Sequence, residues 1–289
     1  GALPRDITYN PTAGSPLHGA EVRWTYNADF RLTSEQPASG AVISYGYDAD
    51  GLLTCAEATV GLCNSGDASA LSATYRADNG LLQSTTLGGA NGVSDAFSYD
   101  SAGELASHTA VYAGAPLYSE IVDAPFAPRD GLGRITTKTE TLGGTTETTA
   151  YAYDAQGRLT TVTKDGALAR QYAYDPNGNR TSVTADGVPT TATYDAQDRL
   201  LTYGEATYAY GAAGDLQSKT DATGTTTYRY DALGNLLQVG LPSGKNIDYL
   251  IDGLGRRVGK TVNGALVAQW VYRDGLHPIA ELSATGALV

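Results

Sequence analysis

Apolar and polar residues alternate along most of this chain with a period of two, interrupted at short intervals by clusters of Asp, Asn, Pro and Gly. Such alternation predicts strands with two unlike faces, and the clusters predict turns. The pattern is clearest just before the turns, where aromatics stand two residues apart. The pairs are Trp24 and Tyr26, Tyr45 and Tyr47, Phe97 and Tyr99, Tyr151 and Tyr153, Tyr172 and Tyr174, Tyr208 and Tyr210, Tyr228 and Tyr230, and Trp270 and Tyr272. Residues at i and i+2 share one side of a strand, so the pairs predict a ladder of aromatics on one heavy face. The positions between them are mostly Ala, Thr, Arg or Val, which predicts a lighter opposite face. No segment carries a helical period over the required length.

Two kinds of turn alternate. The first is Asp-x-x-Gly, running from Asp48 to Gly51, Asp100 to Gly103, Asp130 to Gly133, Asp154 to Gly157, Asp175 to Gly178, Asp231 to Gly234 and Asp252 to Gly255. Asp suits the first position of a type I turn because its carboxylate can accept backbone N–H bonds. Gly suits the end because it can take the left-handed conformation of a bulge. Asp198 stands where Gly is expected, a place for a residue that tolerates that conformation. The second kind is the two-residue hairpin of Asp165-Gly166, Asp186-Gly187 and Asn263-Gly264. Asp221-Ala222-Thr223-Gly224 and Leu241-Pro242-Ser243-Gly244 fill the same slot and are read as longer turns. The chain is therefore strand, tight turn, strand, Asp-x-x-Gly turn, repeated: an all-β antiparallel meander.

Copies of this unit begin at Tyr26, Tyr47, Tyr75, Tyr99, Arg129, Tyr153, Tyr174, Tyr194, Tyr210, Tyr230, Ile251 and Tyr272. A recurring unit implies stacking on copies of itself, so architecture follows from the repeat. Residues 1–25 read as a poorly matching lead-in, a degenerate repeat. Residues 26–289 form the array, irregular with insertions over 26–128 and regular over 129–289. Two strands per repeat make about 10 Å of sheet, and the whole array a ribbon of roughly 115 Å. Twist and a bulge in each repeat should coil so long a ribbon into a spiral strip or partial hollow shell.

Composition narrows the function. The 289 residues include 20 Tyr and 35 Gly but no Met, 3 Phe and 2 Trp. The net charge of −12 argues against nucleic acid and anionic membrane as partners, because both attract a Lys/Arg surplus. No apolar run approaches the ~18 residues of a membrane-spanning helix, so insertion into a membrane is not expected. Starting at Gly1 and stopping in mid-pattern, the sequence reads as a section of a longer protein. Cys55 and Cys63 lie close together, and a disulfide between them would close a loop of about nine residues, worth roughly 2.5 kcal/mol. Local pairing fits an exported protein; a pair of reduced thiols is the alternative.

Signals of catalysis are poor. His18, His108 and His277 are far apart and have no partners at ligand spacing, and no nucleophile elbow, zinc motif or phosphate loop is present. No catalytic residue, metal or cofactor is assigned. The Asp-x-x-Gly turns resemble calcium loops superficially but lack the further oxygens and the terminal Glu. The aromatic face could stack on sugar rings or hold neighbouring repeats together, and its regular recurrence favours packing. Arg134, Arg158, Arg180, Arg199 and Arg256 are expected to pair with Asp or Glu of adjacent strands. Three insertions could carry specificity: the Cys55–Cys63 loop, Leu87 to Gly92, and the Ala/Pro-rich run from Ala113 to Pro128.

The Tyr-Asp repeats, written plainly at Tyr153-Asp154-Ala155-Gln156-Gly157-Arg158-Leu159 and again at Tyr230-Asp231-Ala232-Leu233-Gly234-Asn235-Leu236, resemble those of the RHS/YD-repeat proteins. That family includes bacterial Rhs and wall-associated polymorphic toxins, the C component of Tc toxins, and the teneurins. The resemblance covers the chain from about Tyr26 to Val289. It implies a β-strip that spirals into a cocoon, enclosing a C-terminal toxin in many members, with a self-cleaving aspartyl site beyond the repeats. The sequence ends before any such segment, so no residue here inherits that role.

The expectation is a non-catalytic structural section of a secreted or cell-surface YD-repeat shell that encloses or presents a neighbouring toxin or adhesive domain. Its partners would be the remainder of its own longer chain. The alternative is a bacterial surface module that recognises carbohydrate or another cell-surface protein through the Tyr ladder or the inserted loops.

Overall fold

The computed structural model describes residues 5–9, 20–37, 40–58, 61, 63, 69–122 and 129–289. Among them 25 strands, from β1 (Asp6–Tyr9) to β25 (Pro278–Ser283) in chain order, form one antiparallel sheet. Every strand pairs with its neighbours in sequence, so the topology is an uninterrupted meander. The all-β reading holds; the one helical element among the described residues is a single 3-10 turn at Gly89–Asn91.

One repeat explains the rest. Strand β12 (Thr145–Tyr153) pairs with β13 (Leu159–Lys164) across the turn at Asp154. The Asp154 N–H donates to the Arg158 carbonyl at 2.9 Å, and the Gly157 N–H returns to the Asp154 carbonyl at 3.0 Å. Closing that pair of hydrogen bonds requires a left-handed residue before the chain re-enters the sheet, and Gly157 takes it with φ 82°. Gly103, Gly133, Gly178, Gly234 and Gly255 hold the equivalent place, also at positive φ. At the earlier copy, a Cβ on Gly51 would stand 2.0 Å from the Arg31 guanidinium, which would have to move aside. The register slips at Ala152 and Tyr153, where Tyr153 faces Leu159 and one residue is left over as a bulge. The same slip recurs at the Tyr position of repeat after repeat, and at Ile251 where Ile replaces it. Each bulge adds bend of one sense, as the sequence predicts.

From β13 the chain enters β14 (Ala167–Tyr174) through Asp165 (φ 47°) and Gly166 (φ 79°), a type I′ pair that matches the twist of the strands. Asp186-Gly187 and Asn263-Gly264 repeat it, and so does Ala113-Gly114. Two sequence readings change here. Asp221 pairs directly with Gly224, so that turn is a two-residue one rather than longer. Part of the Ala/Pro-rich run is strand rather than loop: Ala115–Ile121 is β10, paired on both sides, with Pro116 accommodated at a bulge. Its last six residues, 123–128, lie outside the described residues, as does His18.

The aromatic face is half-buried along its length while the reverse face is exposed, as inward curvature of a single layer produces. Tyr208 and Tyr210 are half-buried, for example, with Ala209 exposed between them. The buried apolar cluster sits where the ends of the strip meet. There Val22 and Trp24 of β2 (Ala20–Tyr26) pack with Val271 of β24 (Ala265–Tyr272) and with Ala280 and Leu282 of β25. Val22 and Trp24 belong to the aromatic face, whereas Val271 points to the reverse side of its strand. The strip has coiled through a full turn, and its first hairpin laps over its last.

Candidate functional site

The repeated unit at the Asp-x-x-Gly edge is where side chains are most organised. Over the regular repeats the carboxylate of the turn Asp is used on both oxygens. Asp154 Oδ1 accepts the N–H groups of Gln156 (3.0 Å) and Arg158 (2.9 Å), while Oδ2 accepts Arg158 Nε at 2.7 Å. Asp130 with Arg134, Asp195 with Arg199 and Asp252 with Arg256 repeat the arrangement. Asp175 with Asn179 and Asp231 with Asn235 do so with an amide in place of the guanidinium. These contacts hold the carboxyls low. For Asp154 and Asp195 the leading cause is the backbone N–H four residues on. For Asp130, Asp175 and Asp252 burial pushes upward and is overcome by the same set of bonds.

The turn glycines that the sequence groups with these aspartates take a different part. Gly103, Gly133 and Gly178 bring no side chain to the site. Their N–H groups close the turn on the carbonyls of Asp100, Asp130 and Asp175 at 3.2, 2.9 and 3.1 Å. Gly234 and Gly255 do the same for Asp231 and Asp252 at 3.2 and 3.0 Å. Glycine here is a backbone requirement, and the chemistry of the edge belongs to Asp and the residue after Gly.

The arginines do not reach Asp or Glu of adjacent strands, as the sequence suggested; four of the five pair within their own turn. The bulge is the reason, because it returns residue i+4 to the side of the strand on which Asp lies. Arg180, four residues from no turn Asp, instead lies 5.9 Å from the centre of the Tyr172 ring.

Each clamped arginine also joins two repeats. Arg158 lies over the Tyr174 ring at 4.7 Å and donates to the Asp175 carbonyl at 2.9 Å. Arg134 covers Tyr153 at 4.5 Å, Arg199 covers Tyr210 at 5.1 Å and Arg256 covers Tyr272 at 5.2 Å. The tyrosine completes the link. Its hydroxyl donates to the main-chain carbonyl one repeat back: Tyr47 to Leu32, Tyr99 to Leu82, Tyr153 to Ile135, Tyr174 to Leu159, Tyr210 to Leu200 and Tyr272 to Arg257, at 2.7–3.0 Å. Where Arg129 replaces the tyrosine, its Nη2 makes the equivalent bond to the Leu105 carbonyl at 3.0 Å. Reach to a fixed carbonyl is thus supplied at that position by Arg129 as well as by tyrosine.

The rungs of the ladder stand across from non-aromatic residues of the next strand. Tyr151 faces Val162, Tyr172 faces Val183, Tyr208 faces Lys219, Tyr228 faces Val239 and Trp270 faces Glu281. Because each repeat has two strands, equivalent rings are about 10 Å apart, beyond the ~7 Å of an aromatic pair. Tyr26, Tyr45 and Tyr230 lie half-buried on the same face.

The first half keeps the tyrosine bond, but after Asp48 and Asp100 it has Leu52 and Glu104 in place of the clamping residue. Phe97 stacks on His108 at 4.6 Å, and His108 Nε2 meets Asp95 Oδ1 at 2.7 Å. The sequence left His108 without a partner because Asp95 reaches it across a strand pair. Where the halves join, the Tyr118 hydroxyl donates to Glu140 at 2.9 Å, and Lys138 pairs with the same carboxylate at 2.7 Å. Cys55 and Cys63 are joined by a disulfide with Cα atoms 5.9 Å apart, Cys55 being buried. At the lapped ends, Glu35 is buried, accepts the Tyr45 hydroxyl, and stands 3.5 Å from Arg273 Nη1. Burial and Glu35 together push the Tyr45 hydroxyl well above its ordinary value. A hollow of about 440 Å³ opens between Leu236, Ile251, Trp270, Tyr272 and Arg257. Among the described residues no group of three or more His, Cys, Asp and Glu gathers as a metal would need.

Comparison with known proteins matches this geometry. The Photorhabdus luminescens Tc holotoxin pore superposes with a TM-score of 0.55 at 15% identity, over 93% of this chain and 17% of that one. The crystal structure of TcdB2-TccC3-TEV gives 0.50 at 14% identity, over 93% of this chain and 18% of that one. The chain thus spans less than a fifth of those proteins, and the likeness is one of fold. No curated protein matches the sequence. The Teneurin YD-shell family matches residues 127–283, more than half of the chain. A one-layer strip built of Tyr-Asp repeats and closed by lapping is a structural shell, and the chain belongs to the Teneurin YD-shell family.

Proposed function

We propose that this chain is a section of the wall of an exported YD-repeat shell, which encloses a neighbouring domain and performs no reaction itself. The observation that carries the reading is the use of side chains. The Asp-x-x-Gly carboxylates, the clamped arginines and the tyrosine hydroxyls bind other parts of the same strip, leaving one continuous concave face. A wall needs that economy, and a catalyst would hold polar groups in reserve. Export fits the Cys55–Cys63 disulfide, and no helix of the described residues is long and apolar enough to cross a membrane. Limited proteolysis of the full natural protein tests enclosure. A neighbouring domain should survive while the wall is intact and be degraded once it is cut; a domain digested first would exclude the role.

A second reading, a surface module that binds carbohydrate, is favoured by one feature, the hollow floored by Trp270 and Tyr272 beside Arg257. Titration of a broad glycan set with tryptophan emission as readout checks it; an unchanged spectrum throughout removes it.

A further inference from the structure

We propose that the lapped ends of the strip form a latch, a seam that opens and closes the hollow sideways while the rest of the sheet stays paired. The seam differs in kind from the joins between consecutive strands. Those are tied by main-chain hydrogen bonds; β24 and β25, for instance, share a register from Ala268↔Ser283 to Tyr272↔Pro278. Between the first hairpin and the last, no strand pairing exists among the described residues. What joins them there is side chains: Val22 and Trp24 against Val271, Ala280 and Leu282, and Glu35 facing Arg273 at 3.5 Å across 238 positions of sequence.

Its composition suits reversal. The seam buries an apolar cluster with Tyr26, Leu32, Val258 and Ile279 packed against it, but no strand pairing crosses it, so it can part without breaking a ladder of backbone bonds. The indole Nε1 of Trp24 is buried without a hydrogen-bond partner among the described residues, a cost that closing imposes and opening relieves. Glu35 is 5% exposed, and Arg273 is the cation that faces it. Loss of that guanidinium removes the charge that compensates a buried carboxylate, leaving it the Tyr45 hydroxyl. Beyond β25 the Val289 N–H folds back to the Glu281 carbonyl at 3.0 Å. The latch rests on the shell reading above, but it concerns only whether the strip is closed.

The chain has 2 Trp, which makes the seam directly observable. In a Trp270→Phe background, Trp24 should emit at short wavelength and resist acrylamide quenching. Adding Arg273→Glu should shift that emission to the red, raise the quenching constant about threefold and enlarge the radius of gyration by X-ray scattering, with the β-sheet circular dichroism unchanged. Arg229→Glu, the same charge change on the exposed reverse face, should leave Trp24 as it was. If Arg273→Glu loses the sheet signal, Arg273→Gln provides the same readout without reversing the charge. The latch is overturned if Trp24 is freely quenched before any change at Arg273, or if it stays protected in the folded Arg273 variant. Neither result bears on the protection of a neighbouring domain from protease, so the two proposals fail separately.

Discussion

The two halves of the strip have the same topology but are fastened differently. Over 129–289 the residue four places after the turn Asp is Arg or Asn in most copies, and its side chain returns to the carboxylate. In the first half the corresponding residues are Leu52 after Asp48 and Glu104 after Asp100, which offer the carboxylate a backbone N–H but neither guanidinium nor amide. There the fastenings are more individual. A disulfide, a Phe97–His108 stack and an Asp95 carboxylate shared by Thr85 and His108 stand in place of a recurring clamp. Regular repeats share one fastening, whereas irregular repeats each carry their own.

Acid should separate the halves most strongly. Asp130, Asp154, Asp175, Asp195, Asp231 and Asp252 all titrate below their ordinary value, and Asp274 is held at about 2. A carboxyl depressed in the folded state contributes stability that is complete above its unfolded pKa of ~4 and is lost as pH falls through the folded value. Hydrogen exchange followed through the acid range should show residues 129–289 losing protection below about pH 4, with a shallower decline in the first half. Equal slopes would remove the distinction.

Next in size, Asp252→Ala should lower the unfolding free energy by about 3 kcal/mol, since it removes charged hydrogen bonds and takes the carboxylate from Arg256. Asp100→Ala should cost about 1 kcal/mol, as for loss of a capping side chain. Urea titration of both variants reads the difference, and similar midpoints would contradict it. Tyr153→Phe removes the bond to the Ile135 carbonyl and should cost about 1 kcal/mol in the same titration.

The smallest effect concerns a departure in the first turn. Phe30 occupies the left-handed position that glycine holds elsewhere, with φ 62° and 74% exposure. Phe30→Gly should raise stability by about 0.5 kcal/mol, because the strain of a bulky residue there outweighs the added freedom of the unfolded chain. A lower thermal midpoint would refute this.

The strands, the bulges and both kinds of turn were legible because each is dictated within a few residues: Asp-x-x-Gly and Asp-Gly carry their own dihedral demands. The Arg158–Asp154 clamp was hidden although both residues were singled out. Its geometry depends on a bulge that returns residue i+4, which spacing along an ideal strand does not reveal. The role of Arg129 was masked by its chemistry, since it substitutes for tyrosine through reach. What faces each aromatic was hidden as well, because a strand of different pattern lies between equivalent rungs. Least legible was Glu35 beside Arg273. Their meeting depends on curvature summed over every repeat between them, and no local rule contains that sum.

Because the extra residue falls at the same place in copy after copy, each unit rotates the strip by a similar increment. Bore is then a property of the motif's chemistry, while the number of copies decides only how far the winding proceeds. Such a vessel can grow by duplicating a unit without redesigning its diameter.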